Sequence, residues 1–458
     1  MLTDSFASNQ KFMSRNRSFK LLLSFTVLLL TIQLKTLQAQ ETTRFLSLNE
    51  AIANSIQNNQ TVLLAQQDEK IAQAKYNQTQ AFYLPQVGFS YTAMNTNNPL
   101  NAFGFKLQQQ SITMSDFNPD LLNHPNGTAD FSTKFELMQP IVNMDLWYQK
   151  KAAAKQTEIY QFQTARTKEF IQFEVEKAYL QLAFAYEVVK VLEEANKTSI
   201  AVKKFAADHF AQGLIQKSDV LNTEVQIKMV ESNIAKAHSN ISNASDYLSY
   251  LMHVPTGVTY TINETSSVNT TTIDNNKLTD LRADFLAMQK AIEASDYNIT
   301  ASKKTYLPRL NAFGSYQLND SRMLGFGANA YLAGVQLSWA IFSGNKTKNT
   351  ITTQTLERNK LKDQLTQQKD QSQIELKKAF RDLLDADFEI KQSEKSIEQA
   401  AESLRILQNR YEQGLTNTTD LLMASTQVSQ QKLSKAQALL KANITKAYIQ
   451  FLTTSFNK

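Results

Sequence analysis

The sequence predicts a mainly α-helical chain with a small β part of membrane-spanning length, built as an internal duplication. Three observations point there. All eleven Gly and all seven Pro lie outside six long stretches, 47–82, 143–211, 218–252, 278–306, 345–413 and 418–452. After the first stretch of each half, apolar residues alternate with small or polar ones instead. Short motifs also recur in matching places. Tyr83-Leu84-Pro85 returns as Tyr306-Leu307-Pro308, and Gln212-Gly213-Leu214 with Asp219 returns as Gln413-Gly414-Leu415 with Asp420. An aromatic residue, Phe210 or Tyr411, precedes each of these Gly by three positions.

The six stretches read as helix because Ala, Gln, Lys, Glu and Leu dominate them. In the second, Ile171, Val175, Ala178, Leu182, Ala185, Val189 and Leu192 step by four and three. In the fifth, Leu376, Ala379, Leu383, Ala386 and Ile390 do the same, and Ile397, Ala400, Leu404, Leu407 and Tyr411 continue the stripe past Ser393. This is a coiled-coil seam with many small residues, which lets helices approach closely. At 1.5 Å per residue, 143–211 and 345–413 would each be about 100 Å long. The two shorter stretches of each copy, laid end to end, roughly equal one long one. A globular core does not need such lengths; a helical wall does. Gly213 and Gly414 mark the turn after each long helix.

The alternating segments predict four strands, at about 86–96, 131–142, 309–319 and 329–342. Val87, Phe89, Tyr91 and Ala93 share one face of the first; Phe131, Thr133, Phe135 and Leu137 share one face of the second. Tyr331, Ala333, Val335, Leu337, Trp339 and Ile341 do so in the fourth. About ten residues is the length of a tilted transmembrane strand, and Tyr83, Trp147, Tyr306 and Trp339 stand at strand ends, where an interfacial aromatic girdle belongs. The strands alone leave a small soluble sheet as an alternative. If they do cross lipid, four strands cannot close a barrel, and each backbone group left open at an edge costs several kcal/mol. Several copies must then share one barrel: two would give eight strands, three would give twelve.

Composition removes other classes. With 458 residues and no Cys, the chain has no disulfide scaffold, Cys metal site, thiol nucleophile or lipid-modified N-terminal Cys. Mean hydropathy is −0.37, which excludes a polytopic helical membrane protein. The formal charge is +6, but residues 1–39 carry five Lys/Arg against one Asp, so nothing basic enough to imply nucleic acid remains beyond them. Lys11, Arg15, Arg17 and Lys20 precede the apolar run 21–34, and Leu37-Gln38-Ala39 supplies a small residue before a cut. That is a secretory signal peptide, too short for a membrane span, with the mature chain starting near Gln40 and Met13 as a second plausible start. The organisation is therefore a signal peptide at 1–39, a first repeat at 40–253, a Thr/Asn/Ser-rich connector at 254–277 and a second repeat at 278–458.

The duplicated helix–strand–strand–helix–helix order, the paired Tyr-Leu-Pro junctions and the paired Gly-Leu turns followed by Asp resemble the outer-membrane efflux protein family, the TolC-like ducts of Gram-negative bacteria. The resemblance covers essentially the whole mature chain. Leu281-Arg282-Ala283-Asp284, with Ala287, Ala291 and Ala294 behind it, is similar to the family's opening of the second copy. The resemblance implies a homotrimer in the outer membrane that extends into the periplasm. Its fold would be a trimeric twelve-stranded β-barrel, four strands per protomer, on a long coiled-coil helical barrel. It implies a passive exit duct of a tripartite efflux or type I secretion system, without cofactor. The duct would work with a periplasmic adaptor (membrane fusion) protein and an inner-membrane RND, ABC or MFS pump. Pro85 and Pro308 would join helix to strand, since Pro ends a helix and biases the preceding residue toward extended geometry. The loops 96–130 and 320–328 would face outside, and 254–277 would belong to an equatorial belt.

By the same resemblance, Gly213, Leu214, Gly414 and Leu415 form periplasmic tips that dock the adaptor, and Asp219, Tyr411 and Asp420 form the periplasmic gate. An Asp219–Tyr411 hydrogen bond would hold it closed, and Asp420, repeated around the axis, would make a carboxylate ring that favours cations. The plainer alternative for both Asp is a helix N-terminal position favoured by the dipole. The sequence departs from the family pattern at Met423, where a second acidic residue is common, and at Thr416, a cation in some relatives. A periplasmic coiled-coil adaptor or scaffold is the competing class; it shares the signal and the heptads but needs no amphipathic strands. An enzyme is disfavoured: His124, His209, His238 and His253 lie at no metal-ligand spacing, Gly325-Phe326-Gly327 has no phosphate-loop Lys after it, and no catalytic constellation is visible. The cargo is not written in the chain.

Overall fold

The computed structural model describes residues 42–262 and 278–456. The expected signal peptide, 1–39, and most of the expected 254–277 connector lie outside the described residues. In chain order the elements are β1 (Thr42–Phe45), α1 (Leu48–Asn58), α2 (Gln60–Gln78), β2 (Gln86–Thr96), α3 (Pro99–Gln108), α4 (Pro119–Asn123) and β3 (Thr128–Val142). They continue with α5 (Met144–Ala211), α6 (Lys217–Met252), β4 (Val258–Thr261), α7 (Ala283–Lys304), β5 (Arg309–Asp320), β6 (Ala328–Ser338), α8 (Lys346–Glu412) and α9 (Thr418–Thr453). Single-turn 3₁₀ segments lie at Thr79–Phe82 and Met114–Phe117.

The long stretches are the long helices that the spacing of Gly and Pro predicts. Three details differ. The stretch 47–82 is not one helix: Asn59, buried, takes ψ 130° and ends α1, its side-chain amide donating to the Leu251 carbonyl at 2.8 Å. The stretch from 278 becomes helical only at Ala283, because Arg282 is extended. The fourth strand starts at Ala328 and stops at Ser338, so Trp339 and Ile341 lie beyond it.

The chain divides into two compact units, and α5 and α8 run through both. Among the described residues the first comprises 42–59, 172–262 and Asp382–Ala447. Here Val175, Ala178, Leu182, Ala185, Val189 and Leu192 of the predicted seam are all buried. The seam of α8 is buried at Ala386 and Tyr411, but from Leu404 to Leu407 it is only half covered in one chain. Beside the helices β1 and β4 form a parallel pair with Thr43 opposite Thr259 and Phe45 opposite Thr261. Tyr260 anchors it: its N–H donates to Ser245 Oγ at 3.1 Å, Ser249 Oγ donates to its hydroxyl at 3.1 Å, and its carbonyl accepts from Tyr186 at 2.8 Å. Tyr179 donates to the Leu46 carbonyl at 3.0 Å on the other strand's side. The pairing of these two strands was not foreseen, although β4 lies within the 254–277 connector that the family resemblance assigns to an equatorial belt. Each strand has four residues, too few for a period to show.

Among the described residues the second unit comprises Gln60–Ile171, 278–381 and 448–456. Its four-stranded sheet has the order β2-β3-β5-β6, antiparallel throughout. The central β3–β5 pair joins the two repeats. Asp145, at the start of α5 and 1 % exposed, takes the Arg309 guanidinium at 2.5 Å, and Asn143 donates to Asn311 at 2.9 Å. These bonds tie the first turn of a long helix to the start of β5. Further along α5, Lys155, Glu158, Lys290 and Glu293 alternate in charge around a square with α7, and Ile159 packs against Ala287 and Ala294.

The Leu281-Arg282-Ala283-Asp284 motif proves to be a junction of four helices. Arg282 grips Asp284 through two bonds of 2.7 Å, donates to Ser372 of α8 at 2.8 Å, and reaches the Leu452 carbonyl at the end of α9. Arg166 of α5 donates to Glu169 at 2.7 Å and to the Phe451 carbonyl at 3.0 Å. Two cations thus meet the open carbonyls and negative dipole end of α9. Burial pushes the Asp284 carboxyl up, but Arg282 and Arg166 outweigh it and hold it below the usual carboxylate range. For Glu169, burial dominates and pushes it up. Arg282→Met takes two charged bonds from Asp284, leaving it Gln368 at 2.8 Å and Arg166 at 3.9 Å, and should cost about 3 kcal/mol, read as an earlier thermal unfolding transition in detergent; an unchanged transition would remove this junction from the fold's essential contacts.

Candidate functional site

Two places can do the work of a duct: the turns in the first unit and the sheet in the second. The turns are built alike. After α5, Leu214 N donates to the His209 carbonyl and Gly213 N to the Phe210 carbonyl, both at 2.9 Å. After α8, Leu415 N donates to Arg410 at 2.8 Å and Gly414 N to Tyr411 at 3.0 Å. Gly213 and Gly414 take φ +74° and +72°, the left-handed cap that closes a helix and satisfies its last carbonyls. A Cβ at either would touch nothing within 4 Å, so the backbone alone demands Gly. Leu214 and Leu415 are each 65 % exposed, presenting an apolar side chain at each turn.

Tyr411 is 2 % exposed and packs with Val202 and Leu421, its ring 5.4 Å from that of His209. The ends of α5 and α8 are therefore neighbours. The expected Asp219–Tyr411 hydrogen bond is not formed. The Tyr411 hydroxyl pairs with Thr418 Oγ1 at 2.9 Å across its own turn. Asp219 accepts from the Gln216 backbone N–H at 3.1 Å and closes the start of α6. The physical reason is local competition: a carboxylate three residues into a helix finds orphan N–H groups closer than any other helix. Asp420 behaves likewise, accepting from Thr416 at 3.0 Å while its N–H donates to Asn417 at 2.8 Å. Thr418 was missed, although a hydroxyl at a helix start after Gly-Leu was a usable signal. Met423 is 66 % exposed on α9, where it supplies no charge.

The sheet sorts its side chains by face. One face carries Val87 opposite Leu137, Phe89 opposite Phe135, Tyr316 opposite Tyr331 and Leu310 opposite Leu337. The Phe89 and Phe135 rings lie 5.2 Å apart. The other carries Ser90 opposite Lys134, Gly88 opposite Glu136, Ser132 opposite Asn319 and Asn311 opposite Gln336, and is the more polar of the two although Met94, Met138, Phe313 and Leu332 also lie on it. Lys134 and Glu136 pair at 2.5 Å on that polar face. Most residues of β2 and β6 are exposed on both faces in a single chain. Such a sheet fits lipid on one side and water on the other.

The two Tyr-Leu-Pro junctions are held in the same manner. Gln139 donates to the Tyr83 carbonyl at 2.8 Å, and the Trp339 indole donates to the Tyr306 carbonyl at 2.9 Å. Each bond takes a carbonyl freed where the helix stops before Pro85 or Pro308. Lys150 lies 5.0 Å from the Tyr83 ring and Lys151 5.1 Å from the Trp147 ring. Tyr83, Trp147, Tyr306 and Trp339 are all exposed, as aromatics at a membrane interface would be. Among the described residues no helix is long and apolar enough to cross a membrane, and no group of three or more His, Asp or Glu could hold a metal ion.

Comparison with known proteins agrees with this geometry. No curated protein sequence matches the chain. Among solved structures, CusC, described in connection with transmembrane channel formation, aligns with TM-score 0.75 at 14 % identity over 90 % of this chain and 94 % of its own. The outer membrane protein VceC of Vibrio cholerae aligns with TM-score 0.69 at 17 % identity over 90 % and 97 %. The CmeC outer membrane channel of Campylobacter jejuni aligns with TM-score 0.68 at 14 % identity over 89 % and 85 %. These likenesses establish the fold. The family model described as outer membrane efflux protein matches residues 51–252 and 276–454, one segment for each repeat. The chain belongs to the outer membrane efflux protein family and is an efflux channel of the outer membrane.

Proposed function

We propose that three copies of this chain form the passive exit duct of a tripartite efflux or type I secretion assembly. A periplasmic adaptor and an inner-membrane pump would load it. The observation that carries this is the sheet: four strands, one apolar face, one polar face, and two outer edges that need partners. Three sheets joined edge to edge make a twelve-stranded barrel with Ser90, Lys134, Glu136 and Gln317 facing water. In this reading the pump supplies the energy.

The first-unit turns are the proposed periplasmic end. Leu214 and Leu415 supply an apolar docking surface for the adaptor, with Gly213 and Gly414 fixing their projection. The gate is assigned to Tyr411, Asp219 and Asp420 in revised form. Tyr411 and Thr418 hold the α8–α9 turn together, while the two Asp, each in the first turn of its helix, would ring the axis in a trimer. A carboxylate ring there favours cations.

Purified protein in planar lipid bilayers should give stepwise ion conductance. No conductance from correctly inserted protein would contradict the duct reading. Tyr411→Phe combined with Thr418→Val removes a buried bond worth about 1 kcal/mol without leaving either partner stranded, and should raise single-channel conductance. Unchanged conductance would take Tyr411 out of the gate. Asp420→Asn should lower cation preference, measured as a shift in reversal potential across a salt gradient.

A further inference from the structure

We infer that residues 97–127 fold inward as a size filter in the outer mouth of the duct, an inference that rests on the duct reading above. The two loops at this end of the sheet go to opposite faces. The short one, between β5 and β6, bonds on the apolar side: Leu324 N donates to the Tyr91 hydroxyl at 2.9 Å, and Tyr91 shares its face with Phe89. The long one goes to the polar side. Gln109, at the end of α3, donates to Asp130 at 3.0 Å and to the Ala129 carbonyl at 2.8 Å. Asp130 also accepts two bonds, 3.1 and 2.9 Å, from Asn319, whose side-chain oxygen accepts from Gln317 at 3.0 Å. Asp130, which the loop bonds, and Ser132, Asn319 and Ala328 near it are all buried although they belong to the face that would line the lumen.

The loop is itself built to keep that position. Asn98 caps α3, with Pro99 in its first turn. Ala102, on α3, is 2 % exposed. Phe103 meets Phe117 edge-on at 5.9 Å. Lys106 reaches Asp116 at 2.5 Å, and Asp116 accepts from the N–H and hydroxyl of Thr113, each at 2.8 Å. A flexible surface loop needs none of these. A polar lumen face offers the loop partners that a lipid face lacks, so the inward fold is the one in which its polar atoms are satisfied. Three copies would place three such loops in one mouth, passing small solutes and excluding bulky ones.

The register supplies a clean test. Thr96 and Thr128 are direct partners, so replacing 97–127 by Asn-Gly leaves β2 and β3 joined by a two-residue hairpin turn. The chain has no Cys, so Ser90→Cys, exposed on the polar face, places one thiol inside the barrel. Intact cells are treated from outside with a small methanethiosulfonate cation or with a maleimide on a long polyethylene glycol chain. The small reagent should label both the native-loop and short-turn proteins. The polymer should label the short-turn protein several-fold faster. Asp130→Ala, which keeps the loop but cuts its latch, should fall between them and covers the case in which the short-turn protein does not fold. Equal polymer labelling in all three would overturn the filter. Failure of the small reagent in every protein would instead show that Ser90 does not face a lumen, and would overturn the duct reading itself.

Discussion

Hydrocarbon offers no water to a backbone N–H or carbonyl, so a strand in lipid must find a strand on each side. Among the described residues β2 and β6 pair along one edge only. That open pair of edges makes a lone chain incompetent in a membrane, and the proposed ring of three chains would remove it. The division of side chains follows from the same constraint. With Phe89 and Phe135 on one face and Lys134 and Glu136 on the other, the sheet has only one orientation in a bilayer. The half-covered seam of α8 between Leu404 and Leu407 states the same incompleteness in the helical part.

Duplication answers a second need. Each repeat contributes a hairpin and a turn, and the β3–β5 pairing fuses the hairpins into one sheet. The turn after each long helix uses the same two hydrogen bonds and the same left-handed Gly, and each helix-to-strand junction gives its Tyr carbonyl to a side chain. The donors differ, Gln139 in one copy and Trp339 in the other. The geometry is kept where the backbone requires it, and the chemistry drifts where any donor serves.

What could be read from the residues was whatever has a period or a conformational requirement. Gly213 and Gly414 located the turns because only Gly takes those angles without strain. Strand alternation located the sheet because each residue chooses between two solvents. The pairing of β1 with β4 was illegible because Thr-Thr-Arg-Phe and Val-Thr-Tyr-Thr are too short to show a period, and it is held by Ser245 and Ser249 of the preceding helix and by Tyr179 and Tyr186, far away in the chain. The break at Asn59 was hidden for a similar reason, since its cause is the Leu251 carbonyl. The expected partner of Tyr411 failed because a family pattern was carried onto Asp219, while Thr418 stood seven residues from Tyr411. The helices within 97–127 were missed, the segment being read only as an outer loop, although Asn98-Pro99 and Asn118-Pro119 are usable helix-start signals; their placement depends on Asp130 and Asn319 pairing across the sheet.

The mass of the detergent-extracted protein, corrected for bound detergent, bears on all of this at once. A mass of three chains is the result that a shared twelve-stranded barrel requires. A monomer, or a protein that stays in solution without detergent, would mean that β2 and β6 end the sheet in water, and the duct would have no wall.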